Sequence, residues 1–80
     1  MTNKNLTQIR KGETVIISAL ALSDDELLSK VITLGLLPGS TVELIQDKPV
    51  LVLKLDETMI AIDKQLAKSI TVTSTIEGHA

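Results

Sequence analysis

The amino-acid sequence predicts a small, mostly-β domain: a partly closed five-stranded barrel with one inserted helix. Three observations lead there. The chain has 80 residues, enough for one core and no more. Its apolar residues, 44% of the total, include no Phe, Tyr or Trp, so the core is assembled from Leu, Ile, Val, Ala and Met. Outside one stretch near residue 30, these residues fall in short runs separated by Gly, Pro and Asp. Branched aliphatics in such runs favour strands.

The elements follow in order. Lys11-Gly12-Glu13 introduces a first strand, Thr14 to Ala19. Ser23-Asp24-Asp25-Glu26 then reads as a capping box, in which the Ser23 hydroxyl and the Glu26 carboxylate each accept from the other residue's amide. Leu22 and Leu27 would staple this helix start, and three carboxylates suit the positive end of its dipole. A helix over about 24–34 follows, with Leu27, Leu28, Val31, Ile32 and Leu34 on one face. Gly35 supplies a left-handed stop, after which Leu36 folds back on Val31 as in a Schellman motif. Leu37-Pro38-Gly39-Ser40 reads as a type II turn, with Pro38 fixing φ and Gly39 providing a positive φ.

Beyond the turn the pattern is strand-like to the end. Thr41 to Gln46 alternates, with Val42 and Leu44 on one side, and Asp47-Lys48-Pro49 is a turn. Val50 to Leu55 is apolar on both faces until Lys54; Asp56-Glu57 makes a hairpin into Thr58 to Ile62. Asp63 to Ser69 is a single helical turn, and Ile70 to Thr73 is the last strand. Closing these strands into a barrel removes the edge that Val50 to Leu53 would otherwise expose. The domain is bounded at 6–74, with 1–5 and 75–80 as flexible tails. Met1 and the polar ends give the expectation of a complete small protein.

Composition excludes several function classes. With no cysteine there are no disulfides, thiolate metal sites or cysteine nucleophiles, and the absence of staples in so small a domain favours a reducing cytoplasm. Met1 to Arg10 has no apolar core of a signal peptide. No uninterrupted apolar run is longer than that of Val50 to Leu53, far short of the ~20 residues of a spanning helix, so no membrane insertion is expected. A net charge of −2 with scattered lysines argues against nucleic acid, as does the lack of aromatic platforms for base stacking.

The residues that carry chemistry elsewhere have simpler uses here. Asp24, Asp25 and Glu26 point in different directions on a helix and fit capping better than metal ligation. Asp56-Glu57 fits hairpin chemistry. His79, the only histidine, stands without a second His, a Cys or a fixed carboxylate. No nucleophile–base pair and no phosphate-cradling glycine loop is present. The reading is therefore of a binding module, with no catalytic residue, cofactor or metal site. A barrel of the SH3-like kind grips Pro-rich peptides with aromatic rings, which this chain lacks, so aliphatic side chains must serve. The candidate partner surface is Leu36, Leu37, Pro38 and Gly39, with Lys48 as a rim charge.

Leu27 to Val42, L-L-S-K-V-I-T-L-G-L-L-P-G-S-T-V, resembles the signature of FeoA-type ferrous iron transport proteins. There an amphipathic helix runs into Leu-Gly-x-x-Pro-Gly and then a strand. Lys11-Gly12-Glu13 is similar to the family's opening, and Ile60-Ala61-Ile62 with Ala67 and Ile70-Thr71-Val72 to its close. The resemblance covers roughly Leu6 to Thr73. Two positions depart from it: Lys30 where the family often has Arg, and a short Asp47-Lys48-Pro49 loop. The resemblance implies an SH3-like barrel, a cytoplasmic accessory of ferrous iron uptake whose partner is a FeoB-type membrane transporter with a G domain. An alternative is a regulatory domain related to the C-terminal domain of iron-dependent DtxR-type repressors. Direct iron carriage by Asp24, Asp56 and Asp63 has the least support, since no His or Cys assists them.

Overall fold

Strands account for most of the paired backbone in the structure, a computed structural model that describes residues 4–74. In chain order the elements are β1 (Lys4–Asn5), a 3₁₀ turn (Leu6–Gln8), β2 (Thr14–Leu20), α1 (Asp25–Thr33), β3 (Thr41–Gln46), β4 (Leu51–Leu55), β5 (Thr58–Ile62), α2 (Lys64–Lys68) and β6 (Ile70–Ser74). One antiparallel sheet takes them in the order β1-β6-β2-β3-β4-β5. Register shifts between Ile17 and Ala19 and between Leu44 and Gln46 mark irregularities that help bend it.

The mostly-β, SH3-like architecture is as predicted, with six strands where the sequence pattern shows five. The sixth is Lys4–Asn5, expected within a flexible tail, which instead pairs with β6, Lys4 against Val72 and Asn5 against Thr71. Two residues are too few to show a period of two. What holds them lies partly in the next turn, where Asn5 caps the Thr7 amide and the Gln8 side chain accepts from the Asn5 amide at 2.9 Å. The flexibility expected of residues 1–3 and 75–80, and the reading of His79, lie outside the described residues.

Alternation places the core. Val15 and Ile17, Val42 and Leu44, Leu51 and Leu53, Ile60 and Ile62, and Ile70 and Val72 all point inward and are buried. Leu6, Ile9, Val31, Leu36, Leu66 and Ala67 fill the ends. Asp63 caps α2 through the Leu66 amide at 2.7 Å, and α2 packs on the 3₁₀ turn, bringing the two ends of the sheet together.

The helix begins one residue later than a Ser23 cap requires. Asp24 is the N-cap, its carboxylate accepting from the Glu26 and Leu27 amides at 2.8 and 3.3 Å. A carboxylate serves as well as a hydroxyl and adds favourable charge at the dipole's positive end. The expected apolar face is also less covered than its spacing implies. Of α1 only Val31 is fully buried; Leu28 and Leu34 are half-buried, while Leu27 and Ile32 are exposed. A single stripe of the helix meets the core, through buried Val31 with Leu34 packed beside it.

Candidate partner-binding corner

The corner after α1 is built by backbone geometry. The Leu36 amide donates to the Val31 carbonyl at 3.1 Å and the Gly35 amide to the Ile32 carbonyl at 2.9 Å, the paired bonds of a Schellman stop. Gly35 takes φ +90°, and a Cβ there would stand 3.0 Å from Leu55 Cδ2. Leu36 turns inward and is completely buried. Its neighbour Leu37 turns outward and is 41% exposed.

The next turn closes as the sequence predicts. Ser40 donates its amide to the Leu37 carbonyl at 2.9 Å, and Gly39 has φ +98°. Three further bonds fix it. The Gly39 amide donates to the Ile17 carbonyl at 2.7 Å, and the Ile17 amide donates to the Ser40 carbonyl at 2.9 Å. Ser40 Oγ reaches back to the Gly35 carbonyl at 3.1 Å. Leu37 and Pro38 therefore stand exposed on a corner bolted to β2.

The five candidate residues do not form one patch. Leu36 offers no surface, while Leu37, Pro38 and Gly39 are exposed together. Lys48 lies past the far end of β3, the strand whose near end continues from this corner. It lines a separate cleft with Leu6, Thr7, Ile9, Leu44, Asp47, Leu51 and Lys64. Sequence reasoning does not single out other exposed apolar side chains, among them Ile32 at 46% and Met59 at 56% exposure. Helical spacing alone turns Ile32 toward the core. For Met59 a signal exists: it alternates with the inward Ile60 and so faces away from the core.

Among the described residues, no three of His, Cys, Asp and Glu gather as metal ligands. No buried side-chain polar atom lacks a partner there. Asp24, Asp56 and Asp63 are held apart by separate duties: Asp24 and Asp63 cap the two helices, and Asp56 occupies the hairpin with φ +58°. No described helix is long and apolar enough to cross a membrane.

The sheet order and the fixed, exposed corner define a small SH3-like antiparallel barrel. The family model for the FeoA domain matches residues 4–74, and the chain belongs to the FeoA family, whose members are accessory domains of ferrous iron transport. Solved structures agree on the fold. A FeoA-like protein from Clostridium acetobutylicum superposes with TM-score 0.81 at 20% identity, covering 100% of this chain and 96% of that one. Iron(II) transport protein A from Clostridium thermocellum gives TM-score 0.82 at 28% identity over 89% of this chain and 45% of that chain. IdeR from T. acidophilum gives TM-score 0.86 at 24% identity over 92% of this chain, which spans only 35% of that protein. Comparison with curated protein sequences finds no match.

Proposed function

We propose that this chain is a cytoplasmic accessory module of ferrous iron uptake that binds a FeoB-type membrane transporter through Leu37, Pro38 and Gly39. Family membership supports the iron-transport context. The observation that carries the contact is the exposed Leu37 on a corner fixed at Ile17 and Ser40. An apolar side chain on an already ordered corner loses little entropy on binding, so a compact contact forms without aromatic anchors. Lys48, expected as a rim charge if its turn lay near this corner, lies at the other end of β3 and is left out of the proposed contact.

The test is Leu37→Asp. Because Leu37 is partly outside already, the variant is expected to fold and melt near the parent, yet to lose retention of the transporter from membrane extract and to fail in supporting ferrous iron uptake. A folded variant that still binds and supports uptake removes Leu37 from the interface. The likeness in fold to T. acidophilum IdeR and to a manganese-dependent transcriptional repressor favours a second reading, a regulatory domain that contacts other parts of such a repressor. Retention of a repressor polypeptide in place of the transporter would select it.

A further inference from the structure

The sheet has two ends, and they differ. At one end β1 presents two described residues, Lys4 and Asn5, before the chain turns into the 3₁₀ segment. At the other, β5 pairs with β4 in unbroken register along all five residues, from Leu55–Thr58 to Leu51–Ile62, and no described strand lies on its outer side. Soluble proteins usually guard such an edge with lysine, proline, a bulge or a very short strand. Thr58-Met59-Ile60-Ala61-Ile62 has none of these.

The hairpin sets which backbone groups are free. Leu55 and Thr58 flank a two-residue loop and form its closing hydrogen-bonded pair. Hydrogen-bonded pairs alternate along an antiparallel ladder, so Ile60 and Ile62 also bond inward to β4. The amides and carbonyls of Met59 and Ala61 therefore point off the edge. Both side chains are exposed, Met59 at 56%.

We infer that β5 is a self-association edge, whose occupant is β5 of a second copy of this chain. Antiparallel pairing about a two-fold axis at Ile60 sets Met59 of each copy opposite Ala61 of the other, large against small on the same face. Ala61 borders a cleft lined by Leu34, Val50, Ile62 and Leu66, with Lys30 and Asp63 at its rim. A methionine arriving opposite Ala61 has that apolar cleft to fill, and an unbranched thioether adapts to such gaps. Among the described strands each copy carries one such edge, so pairing through it closes at two and does not propagate. This inference is independent of the transporter contact at Leu37.

Sedimentation velocity on the full chain, from micromolar to millimolar concentration, is expected to show a monomer–dimer equilibrium. Amide hydrogen exchange is expected to slow at Met59 and Ala61 as concentration rises. Met59→Lys, which places a charge on an exposed site, is expected to weaken association by about tenfold or more without lowering the melting temperature. Ala61→Pro removes only an outward-facing donor and should do the same. A chain that stays monomeric at millimolar concentration overturns the inference. So does an assembly larger than two, or a dimer whose Met59 and Ala61 amides exchange as fast as in the monomer; the exchange measurement needs no variant.

Discussion

Gly35 shows how one residue serves both the fold and the proposed contact. Its φ of +90° ends α1, and its missing Cβ leaves room for Leu55. Gly35→Val meets the left-handed penalty of about 1–2 kcal/mol and the tight contact as well. A loss of that order lowers the melting temperature of a 60–100-residue domain by roughly 4–8 °C per kcal/mol. Gly12 is the control: it has φ +91°, but a Cβ there would meet nothing within 4 Å, and Gly12→Ala should lower the melting temperature less. The same stop directs Leu36 inward and Leu37 outward, a division that sequence leaves open because two adjacent leucines after a helix look alike. Backbone bonding to Ile17 decides it, and that partner is distant in sequence.

At the scale of elements, α1 is legible in extent but not in detail. Its span of Asp25–Thr33 agrees with the predicted 24–34, and its Schellman stop is written in Gly35 and Leu36. The cap is ambiguous in sequence because Ser23 and Asp24 both accept hydrogen bonds, and Glu26 stands at capping-box distance from Ser23. The structure makes the distinction measurable by thermal melting: Asp24→Ala should cost about 1 kcal/mol, while Ser23→Ala should be nearly neutral. The reverse order of effects would restore the Ser23 cap. β1 is illegible because pairing with β6, at the opposite end of the chain, defines it and internal pattern does not. The Asn5 to Gln8 box beside it is the one readable signal there. Among the candidate site residues, Pro38 and Gly39 are legible as a turn, whereas the separation of Lys48 depends on the length of β3 between two loops.

For the whole molecule, the distribution of acids bears on iron itself. Asp24 and Asp63 cap the two helices and Asp56 sits in the hairpin between β4 and β5, and among the described residues no three acids, histidines or cysteines gather as ligands. An anaerobic calorimetric titration of the chain with ferrous iron is therefore expected to show no saturable site in the micromolar range, about −8 kcal/mol. A stoichiometric site lost on Asp24→Asn or Asp56→Asn would revive the carrier reading. The absence of Phe, Tyr and Trp has a last consequence, which is optical. The chain is dark in the near-ultraviolet and does not fluoresce, so its unfolding must be followed by far-ultraviolet dichroism or by methyl resonances. Among the described residues every buried side chain of the core bears a methyl group, which makes those resonances a reporter of that interior. In a mixture with a transporter domain, all tryptophan emission belongs to the partner, and a change on mixing reads the partner's surroundings with no background from this chain.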